Sequence, residues 1–331
     1  MKMAMKDVSR EPTPDLRSDP DVPGDIRYDP DLAVHEPAEI PGEPSVPSRR
    51  RSPLLLFPLG LLLLAIAVYV LFGLIANEGR TPSDYLDEIR IRRVDAWEPA
   101  FQLSRLLAEH DAKGLDPRFV PDLITTFESS RDEDPRLRRY LALSLGEVRD
   151  PRAVGALLEA LHDTDAQTAI YAAWALGALG DPRAAPGLIP LLDHEDPGLR
   201  KIAAYALGAL DVPESLPPLR ALLHDPVEDV AWNAALSLAR RGDRSGLPLL
   251  HRMLDRAYLD GVQRADESGR PRALTEEQKE DAIKNALRSL VLLGDTGALD
   301  DIRRLRDGDP NLRVRQEAFG SLEALPKAGQ R

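Results

Sequence analysis

Three histidines in this sequence are each followed by an acidic residue, and these pairs are the first candidates for metal chemistry. The pairs begin at His162, His194 and His224, each where a second helix of a repeated unit is expected to end. Imidazole and carboxylate groups are common zinc ligands. A histidine at a helix C-terminus also interacts favourably with the helix dipole, and a following acidic residue can cap the next helix. We favour this structural interpretation and predict no metal or other cofactor.

Arginines on successive second helices are candidates for binding a partner protein. Arg152, Arg183 and Arg220 lie at polar positions between leucines expected to be buried. They could form a basic ladder in an acidic groove and bind carboxylates of a partner, because a guanidinium group pairs with a carboxylate in bidentate fashion. The alternative, which we favour, is that they pair with Asp and Glu of neighbouring repeats.

Residues 260–275 are a second candidate for partner binding. The stretch is polar, contains two glycines and a proline, and carries local positive charge at Arg264, Arg270 and Arg272. Long irregular loops in a compact array are uncommon and are often functional or disordered. A tolerated insertion and a partner-binding loop both remain open.

The three tryptophans are candidates for an aromatic cage that would bind a ligand. Trp97, Trp174 and Trp232 lie among Ala and Leu at the spacing expected for a helix core. Core packing is therefore the favoured interpretation.

A fixed period determines which elements position these residues. Gly146 recurs as Gly177 and Gly208, a step of 31 residues, and Asp-Pro pairs recur around it. A period in this range indicates a solenoid, in which each unit buries its apolar face against its neighbours. Asp can cap a helix and Pro suits its first position, so each Asp-Pro predicts a helix start.

One unit illustrates the predicted helix pair. Its first helix covers 166–179, with Leu176 on the apolar stripe and Gly180 as the C-terminal glycine. Asp181-Pro182 then begins the second helix. Small residues such as Gly177 and Gly208 allow neighbouring helices to approach closely.

The segments 171–184 and 188–192 resemble the short bacterial HEAT repeat, the type also named after the phycobilisome lyases. The resemblance covers 134–255 well, and weaker copies cover 97–127, 276–306 and a last half repeat at 309–325. It implies an all-α, right-handed solenoid of about six helix pairs and a closing helix. First helices would line the convex side and second helices the concave side. It implies no single activity, because such repeats serve scaffolds, adaptors and a few enzymes.

Among the enzymes with similar repeats are the di-iron deoxyhypusine hydroxylases, which use several facing His-Glu pairs. This sequence has two such pairs, His35-Glu36 in the N-terminal tail and His194-Glu195 in a turn between repeats. We therefore do not expect this activity. A bilin lyase, suggested by the name of the repeat, has no support beyond the repeats themselves.

Composition divides the chain before the repeats begin. Residues 1–52 are acidic and rich in proline, which predicts a disordered tail. Residues 53–76 carry no charge and are long enough for a transmembrane helix. Residues 77–93 are expected to form a juxtamembrane capping helix, because they contain the helix-start sequence Thr81 to Asp84. The solenoid is expected over 94–325 and a flexible C-terminus over 326–331.

Charge and cysteine content limit the partners that the protein could bind, and the arginines beside the span predict its orientation in the membrane. The 331-residue chain has a net charge of −12, which argues against general nucleic-acid binding. It has no cysteine, which excludes disulfides and thiolate metal sites. The triplet Arg49 to Arg51 next to the span favours a cytoplasmic N-terminus in the inner membrane and places the repeats outside the cytoplasm.

These features together predict a single-pass membrane scaffold that binds a protein partner, itself membrane-associated, through the solenoid surface without catalysis. The alternative is a lyase-like or other cofactor-handling enzyme or accessory factor built on HEAT repeats. A bound cofactor, visible by absorption or metal analysis, distinguishes the alternative from the scaffold.

Overall fold

The structure, a computed structural model, describes residues 62–66, 68, 80–92, 94–109, 114–265 and 269–325. The chain divides into two units, 1–73 and 74–331. The predicted tail at 1–52, most of the predicted span and the C-terminus at 326–331 lie outside the described residues. Residues 62–66 and 68 are helical. Among the described residues, no helix has the length and apolar character needed to cross a membrane.

The second unit is an all-α repeat solenoid with one small β-hairpin among its described residues. Six helix pairs follow a single N-terminal helix, and a last helix closes the array, as the repeat pattern predicts. The first and closing helices are α1 (Pro82–Ile91) and α15 (Leu312–Ala324), and the pairs are α2 (Trp97–Glu109) with α3 (Phe119–Ser129), α4 (Pro135–Val148) with α5 (Val154–Ala160), α6 (Ala166–Leu179) with α7 (Ala185–Leu188), α8 (Pro197–Leu207) with α9 (Leu216–Ala221), α10 (Glu228–Arg240) with α11 (Leu247–Arg252), and α13 (Glu276–Leu292) with α14 (Leu299–Gly308).

The helix starts predicted from aspartates are confirmed in the central repeats. The carboxylates of Asp134, Asp165 and Asp196 accept hydrogen bonds from backbone N–H groups in the first turns of α4, α6 and α8. Each bond satisfies a donor that has no partner within the helix. At the other end of α6, Gly180 adopts a left-handed conformation with φ of 68°, as expected for a C-terminal glycine.

The second helices are shorter than the sequence suggests. Asp181-Pro182 begins a 3₁₀ turn at Pro182–Ala184, α7 occupies one turn, and a second 3₁₀ segment covers Ile189–Asp193. Pro186 and Pro190 explain the break, because proline donates no backbone hydrogen bond and clashes with the preceding turn. The same 3₁₀ entry precedes α5, α9, α11 and α14.

The 31-residue glycine period arises from the packing of one first helix on the next. A Cβ atom on Gly146 would lie 2.9 Å from Ala175 Cα, and on Gly177 it would lie 2.7 Å from Ala206 Cα. On Gly208 it would lie 2.4 Å from Ser237 Cβ. Real Cβ atoms essentially never come closer than 3.0 Å to other heavy atoms. Only glycine therefore permits this helix separation, as predicted for Gly177 and Gly208.

Both ends of the array carry helices that pack on their neighbours. Thr81 and Asp84 form the predicted capping box of α1, which buries Leu86 and Ile89 against α2 and α3. At the other end α15 packs on α13 and α14. Its surface is less polar than expected of a cap, because Leu312 and Phe319 are 69% and 53% exposed.

The described residues of the segment 260–275 form a helix end and a β-hairpin rather than the predicted loop. A further helix, α12 (Arg256–Gly261), leads into an antiparallel hairpin of β1 (Gln263–Ala265) and β2 (Pro271–Ala273). Val262 and Leu274 flank the hairpin and are buried in the core of the C-terminal repeats, which holds both strands against the solenoid. Three-residue strands are too short to produce a recognisable alternation of apolar and polar residues in the sequence.

Candidate protein-binding surface

The three arginines expected on second helices are all engaged by carboxylates. Arg152 makes a bidentate contact of 2.9 and 2.7 Å with Asp150, and Arg183 makes the equivalent contact with Asp181. Hydrogen bonds from these guanidinium groups lower the pKa of both aspartates. Arg220 instead contacts Asp243, in the turn before the next second helix, at 2.8 Å.

These arginines do not form a regular ladder. Arg152 and Arg183 lie in the 3₁₀ turns before α5 and α7, whereas Arg220 lies within α9. The 31-residue step from Arg183 reaches Glu214, which is acidic. Arg183 also donates to the backbone carbonyl of Pro151 at 3.1 Å, a contact between adjacent repeats. Their role in binding a partner stays a prediction.

A different set of arginines joins consecutive repeats through partly buried ion pairs. Arg138, on α4, contacts Asp163 and donates to the carbonyl of Phe127 at 2.8 Å. Arg200, on α8, makes a bidentate contact of 2.7 and 3.0 Å with Asp225. These aspartates precede α6 and α10, so each pair fixes the start of the following repeat. Sequence reasoning missed them, although both pairs share a 25-residue separation that could have revealed them.

Asp165 illustrates the electrostatic consequence of such pairing. It accepts two hydrogen bonds from Arg139, at 2.7 and 2.6 Å, and caps α6. The Arg139 guanidinium, followed by the hydroxyl and backbone N–H of Thr168, lowers the pKa of Asp165 from 3.8 to about 2. The carboxylate is thus charged at every pH at which the protein would normally be studied.

The hairpin brings two of its predicted arginines side by side. Arg264 on β1 lies directly opposite Arg272 on β2, and directly opposed residues project from the same face of a two-stranded sheet. Arg264 forms an ion pair with Asp229 of α10. Arg270 is exposed just before β2.

Aromatic residues extend this arginine pair across the neighbouring helices. The guanidinium of Arg264 lies 5.6 Å from the ring centre of Trp232. The indole N–H of Trp232 donates to the Tyr258 hydroxyl at 3.0 Å, and the Arg252 guanidinium lies 4.3 Å from the Tyr258 ring. Trp232 is 4% exposed, so it acts as a buried support rather than an open ligand cage.

The other tryptophans have their own neighbours. Trp97 is partly buried on α2, with the Arg136 guanidinium 4.4 Å from its ring. Trp174, also partly buried, lies on α6 where a Cβ atom on Gly146 would contact its ring. The preference for core packing over a ligand cage agrees with these positions.

Histidines and carboxylates are dispersed in the part of the chain that the structure describes. No group of three His, Asp or Glu residues there could hold a metal ion. His194 Nδ1 accepts a hydrogen bond from the backbone of Asp196 at 3.0 Å, which is a structural role in the turn. His35-Glu36 lies outside the described residues. His251, which the sequence did not single out, lies 2.8 Å from Asp295 and 3.4 Å from Asp301.

A cavity of about 510 Å³ lies between α11 and α14, next to the insertion. Arg252 and Arg256 line it together with Asp301 and Asp309. Arg256 makes a bidentate contact with Asp309 at 2.7 and 2.8 Å, so the start of α12 is fixed to the start of α15. Arg252, by contrast, is exposed at the mouth of this region and stacks on Tyr258.

Comparison with protein families identifies the repeat type. Residues 121–197 and 185–268 match the family of HEAT repeats. The repeat units over these residues are similar to HEAT repeats. No match to a curated protein was found.

The chain is similar to several solved structures. The complex of CpcE and CpcF of phycocyanin lyase from Nostoc sp. PCC7120 is 21% identical, with 76% of this chain and 97% of that chain covered and a TM-score of 0.49. Escherichia coli YibA is 15% identical, with coverage of 75% and 83% and a TM-score of 0.45. Human deoxyhypusine hydroxylase in complex with glycerol is 18% identical, with coverage of 74% and 85% and a TM-score of 0.32.

Proposed function

We propose that this protein is a membrane-anchored, non-catalytic scaffold whose HEAT-repeat solenoid binds a partner protein. The observation that carries the proposal is the stack of six helix pairs between Trp97 and Gly308, into which α12 and the hairpin are inserted before the last pair. Each repeat contacts its neighbours and leaves an elongated surface of helix ends and turns open to solvent. Such a surface suits an extended partner better than a small substrate.

The polar chemistry of the solenoid supports binding rather than catalysis. The buried carboxylates at Asp163 and Asp225 are neutralised by arginines of the preceding repeats. A charged pair of this kind holds two repeats in a fixed register, and a rigid surface loses less entropy when a partner binds. Within the described residues the titratable groups thus serve mainly to position one repeat on the next.

The membrane anchor is part of the proposal and rests on the sequence. Residues 53–76 are uncharged, and only 77–81 separate them from α1. Arg49 to Arg51 favour an N-terminus in the cytoplasm and repeats on the other side of the inner membrane. The partner would then be a membrane protein or complex that is accessible from that side.

A cell-fractionation experiment tests the anchor, and a reporter fusion tests its direction. Deletion of 53–76 should move the protein from the membrane pellet to the soluble pool. Retention in the pellet after a high-salt wash would contradict the anchor. A reporter that is active only outside the cytoplasm, fused after Arg331, should be active, whereas activity of a cytoplasm-only reporter there would reverse the orientation.

Purification in mild detergent tests the scaffold itself. The full chain should co-purify with a membrane protein in a fixed ratio and should carry neither metal nor chromophore. A stoichiometric cofactor, found by absorption or metal analysis in a preparation without a protein partner, would instead support the cofactor-handling alternative.

A further inference from the structure

Most arginines in the described part of this acidic protein are paired, but two near the hairpin have no ion-pair partner there. Arg252 and Arg272 are both exposed, and within the described residues no carboxylate pairs with either of them. Arg152 and Arg183, in contrast, are each neutralised by an aspartate two residues earlier. Exposed positive charge is therefore available to a partner at the insertion, whereas the charges of Arg152 and Arg183 are already paired.

A chain of side-chain contacts links the two arginines across α12 and the hairpin. Arg252 stacks on Tyr258, Tyr258 accepts a hydrogen bond from Trp232, and Trp232 lies beneath Arg264. Arg264 is the cross-strand neighbour of Arg272. We call the surface formed by Arg252, Arg264 and Arg272 the basic strip.

The strip is electrostatically incomplete. Two like charges opposite each other on adjacent strands are destabilising unless an anion lies near both. Asp229 contacts Arg264, but it also lies 3.9 Å from Lys201, so one carboxylate faces two cations, and among the described residues Arg272 has no counter-charge.

Carboxylates near Arg252 are already engaged elsewhere. Asp255 accepts a hydrogen bond from the backbone of Ala257 at the start of α12. Asp301 pairs with Arg304, and Asp309 pairs with Arg256. An incoming carboxylate would therefore meet an exposed guanidinium group that is supported on its other side by the Tyr258 ring.

We propose that the basic strip binds an acidic segment of the partner protein, with Asp or Glu side chains placed at Arg252 and between Arg264 and Arg272. Guanidinium groups bind carboxylates in bidentate geometry, and stacking on Tyr258 holds Arg252 in position. The proposal rests on the scaffold function. A short acidic peptide fits better than a nucleic acid, because the chain's net charge of −12 repels a long polyanion.

Peptide binding to the purified full chain tests the proposal. The probe is a fluorescein-labelled peptide of twelve residues that alternates Glu and Ser, measured by fluorescence anisotropy in mild detergent at low salt. The unchanged protein should bind it, and R252Q/R272Q should bind roughly tenfold or more weakly, since 1.4 kcal/mol corresponds to a factor of ten. Circular dichroism should show that this surface variant keeps its helix content.

The matched control is R105Q/R131Q, which removes the same charge from exposed arginines paired with Glu109 and Glu159. It should bind the probe as the unchanged protein does. An equal loss in the control, unchanged binding by R252Q/R272Q, or tighter binding of a single-stranded oligonucleotide would overturn the proposal. If R252Q/R272Q still co-purifies with the membrane partner at full yield, the basic strip is not the binding site, while the proposed scaffold function stands.

Discussion

Substitution of Gly177 by alanine tests the packing that the repeat period implies. The new methyl group would lie 2.7 Å from Ala206 Cα and 2.9 Å from Ala206 Cβ, whereas ordinary contacts begin at 3.4 Å. Ala206 is part of α8 and its Cα cannot rotate away, so α6 and α8 must separate. Overpacking of this kind costs about 1–3 kcal/mol.

An opposing term must be subtracted, because alanine is a better helix former than glycine by about 1 kcal/mol in a helix interior. Because the close contact at 2.7 Å is with a backbone atom that cannot move aside, we expect the upper part of the overpacking range, about 2–3 kcal/mol, and a net destabilisation of about 1–2 kcal/mol. For a folded unit of this size, that lowers the melting temperature by roughly 2–8 °C. Thermal unfolding of both proteins in mild detergent, followed by circular dichroism, measures this difference in melting temperature.

Gly320→Ala is the matched control within α15. A Cβ atom there has no neighbour within 4 Å, so only the propensity gain remains and the melting temperature should rise or stay constant. The reasoning is refuted if the melting temperature of Gly177→Ala equals or exceeds that of the unchanged protein while Gly320→Ala behaves as expected. The first helices would then be farther apart than described.

Three further substitutions probe the core and the ion pairs. Leu176→Ala should lower the free energy of unfolding by about 2–5 kcal/mol, because Leu176 is fully buried, and an unchanged urea midpoint would show that the apolar stripe is misassigned. Arg200→Met leaves the buried Asp225 carboxylate unpaired and should cost about 3–5 kcal/mol, whereas R200M/D225N should recover part of the loss. Asp165→Asn should cost about 2 kcal/mol at pH 7, because pairing with Arg139 lowers the pKa of Asp165 from 3.8 to about 2. Because the pKa of Asp165 is lower in the folded than in the unfolded state, its carboxylate stabilises the protein above about pH 4, and this contribution is lost as the pH falls toward 2. Urea titrations should therefore show a smaller difference in the free energy of unfolding between the two proteins at pH 3 than at pH 7.

The repeat fold could be predicted because its signals are local and recur. Aspartate caps at Asp134, Asp165 and Asp196 and the C-terminal Gly180 define helix ends through backbone hydrogen bonds that depend on a few adjacent residues. The glycine period was visible for the same reason, since one contact geometry is repeated in three successive units.

The second helices and the insertion were harder to predict. Pro186 and Pro190 signal breaks, but the buried leucines around them produce a helical pattern that masks the 3₁₀ segments. The hairpin consists of three-residue strands held by Val262 and Leu274, and this burial depends on contacts with distant helices. Propensity cannot reveal such contacts.

The candidate site could be predicted only in part. The sequence singled out Arg264 and Arg272 from the local charge, but it could not indicate that Arg152 and Arg183 are neutralised by their own turns. Arg252 was overlooked, because its importance arises from stacking on Tyr258 across the α11–α12 junction.

Site-directed cross-linking tests the central claim, that the solenoid surface binds a protein partner, most directly. The natural chain has no cysteine, so a single Arg272→Cys substitution places a photoreactive label at one defined point. Illumination of intact membranes should join the labelled protein to one other protein, and the same label at Glu109, on α2, should give that adduct weakly or not at all. No adduct from either position, or equal adducts with many proteins from both positions, would contradict the account.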